Sequence, residues 1–192
     1  IFAGGKPTNT NTIQYITISS TQNAVDFGDL AYNNATGAMG AASPTRGIIA
    51  GGSPSPIEAT INYVTISTLG NAADYGDLTD SRYSGGSCSN AVRAVFGGGW
   101  APSRVNTIDF ITMATLGNAT DFGDLTVSRY TLAGAASRTR AVFIGGHRNP
   151  SPHTDTCDYV QIMSIGDATD FGNLSASRAT NAGCSNGHGG LG

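Results

Sequence analysis

DFGDL at residues 26–30 returns as DYGDL at 74–78, DFGDL at 121–125 and DFGNL at 170–174, so one phrase recurs at intervals of 48, 47 and 49 residues. A fixed period of this size marks a repeat architecture, whose units bury their faces mainly against one another. Two further markers keep the same register. A glycine pair closes a short apolar run at Gly4-Gly5, Gly51-Gly52, Gly98-Gly99 and Gly145-Gly146, and an alternating run reads IQYITIS from Ile13, INYVTIS from Ile61, IDFITMA from Ile108 and CDYVQIM from Cys157. Four units fill the chain as one domain, 1–192, with approximate limits 1–35, 36–82, 83–129 and 130–178 and a closing strand at 179–192.

Each unit reads as four short antiparallel strands. In the third, Arg93–Gly98 is an apolar run that glycine stops, which suits a buried strand. Asn106–Ala114 alternates, with Thr107, Asp109, Ile111 and Met113 on one side and Ile108, Phe110 and Thr112 on the other. Leu116-Gly117-Asn118 supplies turn residues, and Ala119–Leu125 returns beside the alternating strand. The small residues of Ser128–Ala136 suit an innermost strand crowded against a central axis. Four such strands in each unit are the pattern of a β-propeller blade.

Composition supports an all-β chain. Charged residues are 12% of the 192, glycine accounts for 27, and Lys6 and Glu58 are the only lysine and glutamate. Helix surfaces usually draw on those two residue types. A net charge of -3 gives no basic footprint for nucleic acid, and no apolar run approaches a membrane span, so neither is an expected partner. The chain opens on Ile1 without a leader-like segment, which reads as a processed or excised polypeptide. Three cysteines, Cys88, Cys157 and Cys184, argue against a disulfide framework, and Cys88 and Cys184 read as small buried fillers at matching places in their units.

The recurring charges read first as structure. Asp26/Asp29, Asp74/Asp77, Asp121/Asp124 and Asp170 with Asn173 suggest calcium ligands only if the intervening glycine bends the strand. The simpler account has one aspartate cap a turn and the other bond the adjoining blade. Arg46, Arg93 and Arg140 open the apolar strands, while Arg82, Arg129 and Arg178 follow the last strands; either series could pair with the repeated aspartates between blades. The first unit has Asn34 in place of the second arginine. No catalytic residue, metal site or cofactor motif is expected: His147, His153 and His188 lack ligand spacing, and no nucleophile elbow or phosphate-cradling loop occurs. Sequons stand at Asn34, Asn118 and Asn173.

Non-repeating chemistry gathers in the loops after the glycine pairs, which begin at Lys6, Ser53, Trp100 and His147 and should share one rim. Recognition usually resides in such loops. Trp100, the only tryptophan, is a candidate stacking platform, with Arg104, His147, Arg148 and His153 as further candidate ligand-binding residues.

The order of arginine, small-residue strand, apolar strand with Gly-Gly, aromatic-bearing strand and last strand resembles kelch repeats, with Phe27, Tyr75, Phe122 and Phe171 where kelch has tryptophan. The phrases ITMATLGNATDFGDLTVSRY (111–130) and CSNGHGGL (184–191) look like the kelch-like repeat proteins of marine and aquatic bacteriophages, found among virion structural and tail-fibre polypeptides. That resemblance implies a virion or extracellular location, a non-enzymatic structural or adhesive role, and other fibre proteins, a further copy of the chain or a host-surface glycan as partners. A soluble lectin-like propeller is the alternative. Kelch-like rings are latched by the C-terminal strand, so Ala179–Ser185 is expected to pair with the first three strands in a four-blade ring; a segment of a larger array is the other arrangement.

Overall fold

The computed structural model describes residues 1–5, 10–34, 36–53, 56–150 and 152–185, and these contain fifteen strands and no helix. The first sheet holds β1 (Phe2–Ala3), β2 (Thr10–Tyr15) and β3 (Val25–Asn34). The second holds β4 (Met39–Ala42), β5 (Arg46–Gly52), β6 (Glu58–Thr65) and β7 (Ala73–Asp77). The third runs β8 (Gly86–Ser89), β9 (Arg93–Trp100), β10 (Arg104–Thr112) and β11 (Thr120–Asp124); the fourth runs β12 (Ala133–Ala136), β13 (Arg140–Ile144), β14 (Thr154–Gln161) and β15 (Thr169–Arg178). Every sheet is an antiparallel meander in chain order.

The glycine pair follows the end of β1 and β13, but in the second and third sheets it does something other than stop its strand. β5 and β9 run through it, to Gly52 and Trp100, and pairing with the next strand slips a register at that point. Gly98 and Gly99 adopt φ of +64° and +118°, so the pair forms a bulge. A side chain there would collide: a Cβ on Gly98 would lie 2.6 Å from the Arg129 carbonyl. That carbonyl instead accepts the Gly99 N–H at 2.9 Å, and Gly52 with Arg82 and Gly146 with Arg178 repeat the bond.

Alternation along the third strand of each sheet makes both faces apolar, and each face meets a different neighbour. Ile111 and Met113 pack with Phe96 against Tyr75 and Leu78 of the second sheet, whereas Ile108 and Phe110 pack with Phe122 and Leu125 against Phe143 and Val160 of the fourth. Phe27, Leu30, Ile49 and Val64 form the corresponding cluster between the first and second sheets. Each sheet thus has a leading face toward its predecessor and a trailing face toward its successor. Burying a ring such as Phe122 stabilises by roughly 1.5–3 kcal/mol relative to exposure.

Backbone contacts fix how the faces meet. The Gly117 N–H donates to Tyr75 O and the Ala119 N–H to Asp77 O, while the Asp77 N–H returns a bond to Asn118 Oδ1; the same triplet joins Phe27 and Asp29 to Gly70-Asn71-Ala72, and Phe122 and Asp124 to Gly166-Asp167-Ala168. A Cβ on Gly123 would lie 2.6 Å from the Gly166 carbonyl carbon, and one on Gly76 2.5 Å from that of Gly117. The repeated phrase is therefore the docking edge of the first three sheets.

The innermost strands β4, β8 and β12 line one open cavity of about 520 Å³, together with Ile1 and Gly183–Ser185. Gly37, Ser84, Thr131 and Thr180, all at left-handed φ, form a staircase in which each N–H donates to the carbonyl of the residue before it in the series. Thr180 thereby starts segment 179–185 along the course of a further inner strand, and Ser185 Oγ accepts the Ala136 N–H. This all-β set of antiparallel sheets around a shared cavity is consistent with a four-blade propeller, and the sheets are called blades below. The first blade has three strands: Ala179–Ser185 lies beside β12 with no strand ladder to β1, and residues 186–192 of the expected closing strand, His188 included, lie outside the described residues.

Candidate recognition surface on the blade rim

The repeated aspartates act through short local bonds. Asp74, Asp121 and Asp170 accept the N–H of the glycine two residues on through Oδ1, at 3.1, 3.2 and 3.1 Å, holding the bend of the phrase. Asp29, Asp77 and Asp124 join the next blade through backbone N–H and C=O groups. Asp26 opens the same phrase in the first blade, exposed and paired in the ladder with Gln14. Among the described residues, no three His, Cys, Asp or Glu side chains converge as a metal centre would require.

The arginines do not pair with these aspartates. Arg82 and Arg129 are fully buried, and each reaches across a joint with Nη2 to an aspartate of the alternating strand: Asp109 at 2.9 Å and Asp158 at 3.0 Å. The same Nη2 donates to Phe96 O or Phe143 O. Thr79 completes the first carboxylate with N–H and Oγ bonds of 3.1 and 2.7 Å, and Thr126 does so for Asp158. Each of these arginines holds its own blade by its carbonyl and the next by its side chain. Burial lowers the Arg129 pKa from its ordinary value, and the Asp158 carboxylate opposes that shift. Sequence alone offered too many aspartates; the pairing is with a position that reads only as one step of a pleat.

Arg46 and Arg93 use Nη1 to donate to Met113 O and Ile162 O of the following blade, at 2.6 and 3.1 Å. Their guanidinium groups lie over Tyr63 and Phe110, and Arg140 lies over Tyr159 in the same way. Cys88 is buried, with its thiol pushed up to about 12 by desolvation; Cys157 is buried as well, whereas Cys184 is exposed, contrary to its reading as a buried filler.

The non-repeating residues meet on the rim over the third and fourth blades. β9 ends in Trp100 and β10 begins at Arg104, while the loop after β13 supplies His147 and His153. Tyr130, from the linker between the blades, joins them: its ring stands edge-on to Trp100 at 5.1 Å and stacks on His147 at 5.0 Å. His147 in turn lies 4.7 Å from His153, and its Nδ1 is bonded to the Pro152 carbonyl. The Arg104 guanidinium caps the row, 5.3 Å from Trp100 and 5.5 Å from Tyr130. Backbone bridges from Tyr83 to Trp100 and from Tyr130 to His147 fix the spacing.

Five rings or guanidinium groups thus form one ladder, half-buried except for exposed His153. Arg148 stands outside it, half-buried, with a buried Nε that has no hydrogen-bond partner among the described residues; the Arg104 Nε is in the same condition. Tyr130 escaped the sequence reading because it belongs to the recurring SRY phrase, where recurrence suggests scaffold. The equivalent Tyr83 lacks a histidine neighbour, so only the loop after β13 makes this tyrosine part of a surface. Most of the loop beginning at Lys6 lies outside the described residues. Aromatic faces beside a guanidinium suit stacking and hydrogen bonding to a polar ring.

No family model and no curated protein matches the chain.

Proposed function

We propose that the protein is a non-enzymatic structural and adhesive repeat module of kelch-like propeller type, belonging to a virion or extracellular fibre. The observation that carries this reading is a division of chemistry. Recurring arginines and aspartates serve the joints and bends, while the non-recurring aromatic and cationic residues collect on one rim patch around Trp100 and Tyr130. A rigid frame that displays one irregular patch suits recognition by its loops. Of the two arrangements the sequence leaves open, a ring latched by 179–185 and a unit in a larger array, the uncovered outer faces of the first and fourth blades favour the array.

Carbohydrate binding by the same patch is the second reading, favoured by the Trp100–Tyr130–His147 ladder. Wild type and Trp100→Ala, matched by circular dichroism, should be compared on a glycan array. Retention that Trp100→Ala removes supports the lectin-like reading; equal silence of both leaves the structural role. Turnover of glycoside or ester substrates that a single rim substitution abolishes would sink the non-enzymatic reading.

A further inference from the structure

We propose that the trailing face of the fourth blade docks onto the leading face of the first blade of a second copy of this chain, head to tail. Three internal joints show what such a face receives. On the trailing side, Phe27, Tyr75 and Phe122 are buried with Leu30, Leu78 and Leu125, whereas their counterpart Phe171 is 54% exposed and Leu174 only half-buried. On the leading side, Ile49, Phe96 and Phe143 are buried, and their counterpart Phe2 is 59% exposed.

The rest of each face follows suit. Asn62, Asp109 and Asp158 are fully buried, while Gln14 in the first blade is exposed. Ile16 is exposed where Val64, Ile111 and Val160 are buried, and Ile18 is 96% exposed where Ile66 is 40% exposed and Met113 and Ile162 are covered. Opposite them, Arg178 keeps the position of Arg82 and Arg129 and its carbonyl bond to Gly146, yet is exposed and forms no ion pair among the described residues. A Cβ on Gly172 would meet nothing within 4 Å, where Gly76 and Gly123 are pressed against the next blade's turn. The molecule therefore carries both halves of a fourth joint, apart and open at once.

The halves are chemically matched, with two differences. Phe171 and Leu174 would cover Phe2, Ile16 and Ile18, as Phe122 and Leu125 cover Phe143, Val160 and Ile162. Arg178 would meet the Gln14 amide oxygen in place of a carboxylate, and Gln22 stands where Gly70, Gly117 and Gly166 make their close approach. The missing carboxylate leaves the Arg178 charge uncompensated and the tight turn is lost, so this joint is markedly weaker than the internal ones. The two surfaces are different, so the contact is heterologous and propagates in one direction.

The inference rests on the reading of the chain as an assembling repeat module, and Trp100→Ala tests the rim separately, so either can fail alone. Sedimentation velocity on the full chain, from ~1 to ~300 µM where weak interfaces respond, should show average mass rising with concentration. Phe2→Asp and Phe171→Asp each alter an exposed residue and should each leave a folded monomer. Mixed in equal amounts, each variant retains the face the other lacks, so the mixture should stop at dimers. A wild type that stays monomeric across the range, or association that survives Phe171→Asp, overturns the proposal.

Discussion

The joint between the second and third blades and the joint between the first and second are built on one plan with different chemistry. In the former, Arg82, Asp109 and Thr79 form a closed polar set in an apolar interface. In the latter, all three positions change together: Asn34 replaces the arginine, Asn62 the aspartate and Ala31 the threonine. Asn62 Oδ1 accepts the Ala31 N–H at 3.3 Å, and its buried Nδ2 has no hydrogen-bond partner among the described residues. The difference teaches that the unit of exchange is the set. A buried guanidinium needs its carboxylate, and a carboxylate without the guanidinium would carry an uncompensated charge into the interface. The neutral joint buries no charge, so it needs no ion pair to compensate one.

The largest test of that contrast is asymmetric truncation. Asp109→Ala strands buried Arg82 and two Thr79 donors and should cost about 3–5 kcal/mol, whereas Asn62→Ala removes one long bond and should cost about 1 kcal/mol. Urea unfolding measures both, and equal losses would break the comparison. Arg82→Met combined with Asp109→Leu should recover most of the Asp109→Ala deficit, because no charge is left buried alone.

A smaller effect separates close approach from backbone strain. Gly123 and Gly172 have φ of +136° and +124°, but only Gly123 faces another backbone. Gly172→Ala should cost about 1–3 kcal/mol for its strained φ, and Gly123→Ala should cost more by the displacement of the Gly166 turn. Identical midpoints for the two variants would mean that the docking edge is not tight.

A further effect is confined to alkaline pH. Desolvation raises the Cys88 thiol from 9.0 to about 12, so the folded state resists ionisation that the unfolded chain accepts. Its contribution is complete below pH 9.0 and is lost as pH rises toward 12. Cys88→Ala, which installs the residue found at the matching place as Ala135, should flatten the fall in urea midpoint over that window. A slope unchanged by the substitution would exclude Cys88 as the titrating group.

Much of this fold was legible because the repeating strings are the contact surfaces themselves. DFGDL recurs since its backbone must dock on the next turn, and Ile108-Asp109-Phe110-Ile111 alternates since both faces of the strand are covered. The sequence misled where one residue has two jobs. Gly98-Gly99 reads as a strand end and is a bulge within β9, because a positive φ bends the strand while pairing resumes beyond it. Asp109 was hidden inside the pleat, although its joint change with Arg82 between units was a usable signal. On the rim, Trp100, Arg104, His147 and His153, which do not repeat, lie together in one row. Tyr130 was missed because it does repeat, and its role depends on the loop that packs beside it.

The staple formed by each buried arginine has a genetic corollary. Arg82 ends one period and closes onto Asp109 of the following one, as Arg129 does onto Asp158. A crossover that deleted or duplicated one period between these blades would bring together an arginine and an aspartate that already match. Chain length at this locus can therefore change by whole units in a single recombination event, with the seam chemically complete from the first generation.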